Sequence, residues 1–232
     1  MLSALRWRND RNEISLMVAK RNRWMSLLVG IVGAAILVGL FRFNQTNTTY
    51  EEYLVTNVTA LFFLPILLIM LVGREEPSDF GFTLGDARRG FWLAAILFVG
   101  VMPLLIIASK MSEFQAYYPI QKWATRSVRE LGYFELSYGM YLFCWEFFFR
   151  GFLLFGLYRT IGWPSVFAQA IVFGIMHYGK PMPEMVASFG AGIVLGLLAL
   201  RAKSFVPGFL LHWMVAVTFD LLVILAIGKL PL

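Results

Sequence analysis

The sequence predicts an all-α, polytopic transmembrane helix bundle of about seven spans, with six to eight as the range. Of its 232 residues, 59% are hydrophobic and only 15% are charged, whereas about a quarter of the residues in a soluble domain are charged. Several uncharged runs also approach the roughly 20 residues that a membrane-crossing helix needs. Such spans use most of the chain, which predicts one transmembrane domain over residues 25–232 and a basic N-terminal segment over residues 1–24.

Seven apolar runs predict the individual spans. Three runs in the first half carry no charged residue, and the four in the second half contain or adjoin isolated ionisable residues. Backbone groups that face lipid must be hydrogen-bonded within the protein, so runs of this length predict helices rather than strands. The predicted spans cover residues 25–41, 53–73, 91–109, 136–158, 163–176, 186–200 and 205–227.

The charged residues between the runs indicate the orientation. Residues 1–24 hold six Lys or Arg against two acids, which is too long and too charged for a signal peptide and predicts a cytoplasmic N-terminus. The loop 74–90 then lies on the same side with three arginines, as the positive-inside rule requires. Lys110–Arg129 is an exception on the outer side and predicts an interfacial helix. The net charge of +6 therefore reflects membrane orientation and not a nucleic-acid partner.

The single cysteine excludes two further classes. Cys144 lies within an apolar run and has no second cysteine to pair with. Neither a disulfide framework nor a thiolate metal cluster can be built from this chain.

Five ionisable residues interrupt or adjoin the later spans, and the first three spans contain none. A charged side chain at the centre of a bilayer costs about 2.5–3.5 kcal/mol on insertion scales, so these residues need a reason. Their distribution predicts a functional half at residues 133–228. The five are Glu146, Arg150, His177, His212 and Asp220.

Two of these residues are spaced as a helical pair. Glu146 and Arg150 are four residues apart with the acid first, which is the favourable order for an ion pair. A buried structural pair explains this spacing as well as catalysis does. At about 1.5 Å per residue, Glu146 and His177 lie at similar depths, roughly 20 Å from the inner ends of their helices, whereas His212 lies only about 10 Å from the start of its helix.

The histidines favour a functional interpretation as a pair. His177 and His212 are the only two histidines, and imidazole is suited to moving a proton near neutral pH. One buried histidine alone is more often structural. Two acids are candidates for a supporting role around them: Glu184, which a position in the first turn of a helix also explains, and Asp220, eight residues after His212.

The same residues resemble a known family. The run Trp145-Glu146-Phe-Phe-Phe-Arg150, then Phe173-Gly-Ile-Met-His177, then His212, is similar to the motifs E-E-x-x-x-R, F-x-x-x-H and H-x-x-x-N/D of the CAAX-protease and bacteriocin-processing (CPBP, or ABI) intramembrane proteases. The resemblance implies an intramembrane endopeptidase without a cofactor, in the lipid bilayer of the bacterial inner membrane, acting on a peptide or membrane-protein substrate.

The resemblance also implies roles for these residues. Glu146 and His177 would activate a water and His212 would stabilise the oxyanion, with Arg150 orienting Glu146. Trp145 replaces the first motif glutamate and Ala216 stands where Asn or Asp is expected.

Those departures leave other classes open. One is a catalytically inactive relative that binds membrane proteins or serves secretion or immunity, and another is a proton-coupled transporter, which the lack of an internal repeat disfavours. A third is a zinc enzyme that uses Glu146, His177 and His212, although the chain contains no H-E-x-x-H spacing. No feature of the sequence predicts an oligomeric state.

Overall fold

The computed structural model is a bundle of helices. It describes residues 2–46 and 48–229, with side chains from residue 19 onwards in those ranges. Eight helices and two short 3-10 turns, and no strand, occur in this part of the chain, which confirms the predicted all-α class. The helices are α1 (Leu2–Phe43), α2 (Tyr50–Gly73), α3 (Ala87–Ala108), α4 (Ser112–Tyr117), α5 (Val128–Ile161), α6 (Pro164–Ile175), α7 (Met182–Ala202) and α8 (Val206–Ala226).

Seven of these helices occupy the seven predicted spans. Six are long and apolar enough to cross a membrane, so the chain is an integral membrane protein. The seventh, α6, has 12 residues and is about 18 Å long. Local signals set several ends: Thr49 and Glu52 form a capping box on α2, and Ser127 caps α5.

The long helix α5 lies at the centre of the bundle. In its most apolar stretch 78% is buried, against 6–39% in the other five long helices. Five of its phenylalanines are fully buried; these are Phe134, Phe147, Phe148, Phe149 and Phe152. A π-helical segment, Phe147–Leu153, directly follows Glu146, and such segments are frequent at functional sites.

The outer segment 110–129 differs from the single interfacial helix that the sequence predicted. It forms the short helix α4 and a 3-10 turn, Lys122–Thr125. The physical reason is Pro119, since the residue before a proline is driven towards extended backbone. Tyr118 accordingly has φ −97° and ψ 151°, and α4 ends before it.

The connector between α2 and α3 has a structural role that its sequence did not indicate. Its backbone bonds to the turn between α7 and α8: the Asp86 N–H donates to the Ala202 carbonyl at 2.8 Å, and the Phe205 N–H donates to the Gly81 carbonyl at 3.4 Å. An added Cβ on Gly85 would lie 2.1 Å from the Ala202 oxygen, so only glycine permits this approach. The connector therefore covers the start of α8, which carries His212.

Candidate active site

Glu146 is the centre of the candidate site. It is the last residue before the π-helical segment of α5, and it is fully buried. Its Oε1 atom accepts hydrogen bonds from Arg150 Nη1 at 3.0 Å and from His212 Nδ1 at 2.7 Å. The structure therefore brings together three of the four catalytic residues that the sequence predicted.

Arg150 forms the i,i+4 ion pair that its spacing predicted. Both side chains of the pair are completely buried, and the Arg150 guanidinium also stacks over the Phe173 ring, with its Cζ 4.0 Å from the ring centroid. An aromatic face stabilises a cation held away from water. Its Nη2 and Nε atoms form no hydrogen bond with the described residues.

His212 contacts Glu146, although the sequence placed the two residues at different depths in the membrane. A carboxylate oxygen only accepts hydrogen bonds, so His212 Nδ1 carries the hydrogen. The start of α8 is covered by the connector 81–86. This coverage places the first turn of α8 inside the protein and not at its surface, which explains how a residue near the start of the helix reaches Glu146.

His177 lies beside this group and does not hydrogen-bond to it. Its Nδ1 atom donates to the Phe173 carbonyl at 2.8 Å, which leaves Nε2 as the basic nitrogen. Its ring contacts Phe173, at a centroid distance of 4.5 Å, and the edge of Trp145, at 6.1 Å. Burial, and then the charge of the nearby Lys180, lower the pKa of His177 well below its ordinary value of 6.5, so the ring is neutral at physiological pH.

Phe173 is the first residue of the F-x-x-x-H motif, and the sequence analysis assigned it no contact or role. Its ring packs against the Arg150 guanidinium and against the Trp145 indole of α5. The same ring is buried and contacts the imidazoles of His177 and His212. Its position four residues before His177 placed it on the same helical face, which was the available signal.

Trp145 occupies the first motif position. Its indole is buried among Tyr141, Phe149 and Phe173. Its Nε1 hydrogen has no acceptor among the described residues. The site thus contains a free carboxylate oxygen, Glu146 Oε2, together with free donors on Trp145 and Arg150.

The two candidate supporting acids lie elsewhere. Glu184 is in the first turn of α7, where its carboxylate accepts from Tyr118 Oη and Lys180 Nζ, each at 2.7 Å. Burial disfavours the charge of Lys180, but the oxygens of Tyr118 and Glu184 outweigh it and raise the pKa of that ammonium well above its ordinary value. This cluster ties the outer segment to the start of α7. Asp220 is buried beside Glu135 of α5.

A protein-bound zinc ion needs at least three His, Cys, Asp or Glu side chains that point to one position. No group of three His, Cys, Asp or Glu side chains is arranged to hold a metal within the part of the chain that the structure describes. The Nδ1 atoms of both histidines are used in hydrogen bonds to oxygen. These bonds leave both Nε2 atoms available, so the zinc arrangement considered from the sequence stays an alternative prediction.

Comparison with known proteins identifies the segment that carries this site. Residues 133–218 match the family model described as Type II CAAX prenyl endopeptidase Rce1-like. The matched segment includes Trp145, Glu146, Arg150, His177 and His212, and it agrees with the resemblance drawn from the sequence motifs. No curated protein and no solved structure is significantly similar to the chain.

Proposed function

We propose that this chain is an intramembrane endopeptidase, since its residues 133–218 match the model of the Rce1-like family of type II CAAX prenyl endopeptidases. The observation that carries the proposal is the hydrogen bonding of the two carboxylate oxygens of Glu146. One of its oxygens is held by Arg150 and His212, and the other is buried and free of any partner in the described chain. A carboxylate oriented in this way is suited to accept a proton from water.

The proposed reaction uses Glu146 Oε2 as the base. It accepts a proton from water while the water oxygen bonds to the carbonyl carbon of the scissile peptide bond. The tetrahedral intermediate then collapses, the C–N bond breaks, and the proton held by Glu146 passes to the leaving amine nitrogen. The basic Nε2 of His177 accepts a hydrogen bond from the other hydrogen of the same water and orients it for attack.

The developing oxyanion needs hydrogen-bond donors in a site from which water is largely excluded. Arg150 supplies N–H donors on two buried nitrogens, Nε and Nη2, that bond to no described residue, and His212 holds Glu146 through its Nδ1 hydrogen. Arg150 also fixes Glu146 in position through the buried ion pair. The proposed mechanism contains no metal, and activity that survives incubation with a zinc chelator would support it.

A catalytically inactive relative is the second candidate. The observation that favours it is Trp145, which places a buried indole where the family motif has its first glutamate. Such a protein would bind membrane-protein segments in the same site without cleaving them.

The proposed substrate is a peptide segment of a membrane-associated protein, reached from the lipid bilayer. Positively charged residues in the N-terminal segment and in the connector between α2 and α3 support a cytoplasmic N-terminus, with the bacterial inner membrane as the location. The Lys180–Glu184 cluster lies on the opposite side of the membrane in this orientation, and we place the mouth of the site beside it.

Mutation of the three acids tests the proposal. Purified wild type and the variants Glu146→Gln, Glu184→Gln and Asp220→Asn are reconstituted in liposomes with a panel of membrane-anchored peptides, and products are identified by mass spectrometry. We expect Glu146→Gln to slow cleavage by at least about a hundredfold, the effect of losing a general base. Cleavage that survives this change but not one of the other two would move the base, and binding without cleavage by the wild type would favour the inactive relative.

A further inference from the structure

The free oxygen of Glu146 faces a glycine on α8. A Cβ added to Gly208 would lie 3.8 Å from Glu146 Oε2 and 3.7 Å from Leu195 Cδ2. Gly208 is one turn before His212, whose ring holds the other oxygen of the same carboxylate. The two oxygens of Glu146 therefore face neighbouring turns of one helix.

Neither packing nor backbone conformation accounts for a glycine at this position. Gly208 is buried, and at every other buried glycine in the described chain an added Cβ would come within 3.0 Å of another residue. At Gly208 the closest approach would be an ordinary van der Waals contact, and its φ is not in the left-handed region. Alanine would fit the protein atoms and would stabilise the helix better than glycine.

What alanine would exclude is a small molecule beside Glu146 Oε2. A water bound to this oxygen at about 2.8 Å on the side of α8 would overlap a methyl group held 3.8 Å from the same oxygen. Oε2 is fully buried and has no hydrogen-bond donor among the described residues, and buried polar groups in proteins are normally satisfied, often by ordered water.

We propose that Gly208 is a positioning residue that leaves room for the hydrolytic water at Glu146 Oε2. This inference rests on the proposed peptidase function and specifies where its nucleophile binds. The carboxylate then orients the water between α5 and α8, while Arg150 and His212 fix Oε1.

The test compares Gly208→Ala with a control on the neighbouring helix. Gly190→Ala, on α7, adds the same methyl group at an exposed position with nothing within 4 Å. We expect Gly208→Ala to lower kcat at least tenfold with KM within twofold of wild type and with a melting temperature equal to or above that of wild type. Gly190→Ala should retain the wild-type kcat.

Two results would overturn the inference. One is a Gly208→Ala variant with wild-type kcat, and the other is a variant whose melting temperature falls, because a fall would mean that packing requires the glycine. Because wild-type cleavage is the reference in the same assay, an inactive wild type would count against the peptidase proposal itself. An experimental structure gives an independent check: a water within 3.2 Å of Oε2 and against Gly208 Cα in wild type, absent in Gly208→Ala, is the expected pair of results.

Discussion

Arg150 is the largest of the side chains that the bundle buries completely among the described residues, and its charge is paired there with that of Glu146. Removing one partner of a buried ion pair leaves the other charge uncompensated, which costs about 3–5 kcal/mol. Arg150→Met should therefore lower both the thermal stability and the rate of peptide cleavage.

The matched control for Arg150→Met is Arg129→Met. Arg129 is exposed on the same helix and forms no ion pair with the described residues, so its removal should change the melting temperature little. Loss of activity in Arg150→Met without loss of stability would contradict the pairing role and assign Arg150 to substrate binding.

At this scale the sequence predicted the local pair and missed the contacts made across the bundle. Glu146 and Arg150 meet because spacing along one helix fixes their relative position. The contact of His212 with Glu146 depends on where α8 starts in space, which the connector 81–86 sets through tertiary hydrogen bonds. Phe173 and Gly208 matter through neighbours on other helices, and no local pattern encodes those neighbours.

Among the long helices, α5 is the most buried, and its π-helical segment lies directly against Phe80, in the segment that connects α2 to α3. A Cβ on Gly151 would come within 2.9 Å of the Phe80 carbonyl oxygen and of the Phe147 ring. The carbonyl is backbone and cannot move aside cheaply. Gly151→Ala should therefore destabilise the protein by about 1–3 kcal/mol and reduce cleavage, since it follows Arg150 directly.

The control for Gly151→Ala lies on the same helix. An added Cβ on Gly132 meets nothing within 4 Å, so Gly132→Ala should leave activity unchanged and keep or raise the melting temperature, since alanine favours a helix. Thermal unfolding in detergent and the liposome cleavage assay check both variants. Equal melting temperatures for the two variants would contradict the close approach of the connector to α5.

The sequence predicted the helix boundaries correctly where hydrophobic composition sets them. The predictions were wrong where a single residue sets the boundary. The seven apolar runs correspond to seven helices because lipid-compatible composition has to persist over the whole crossing. The outer segment divided at Pro119, and the connector 81–86 proved to be a packed structural piece because Gly85 allows contact with the Ala202 carbonyl. Both outcomes depend on backbone geometry that hydropathy does not measure.

For the whole molecule, the charge distribution predicts which side of the membrane each loop faces. Cys144 is the one cysteine of the chain and is buried, so an impermeant maleimide should not label wild type. We expect labelling from outside intact cells for Gln45→Cys, in the exposed loop between α1 and α2, and only after lysis for Ser78→Cys, in the exposed connector after α2. The opposite pattern would reverse the orientation and the side on which the site opens.

A double-mutant cycle on Glu146 and His212 tests the central claim most directly, because the account treats these residues as one hydrolytic unit joined by a 2.7 Å hydrogen bond. Residues that act as a unit have strongly non-additive effects on catalysis. We predict that Glu146→Gln and His212→Ala each lower kcat/KM by at least about a hundredfold, and that the double variant is no more than a few times slower than the slower single one. Losses that multiply, or a His212→Ala variant with wild-type kcat/KM, would contradict the account.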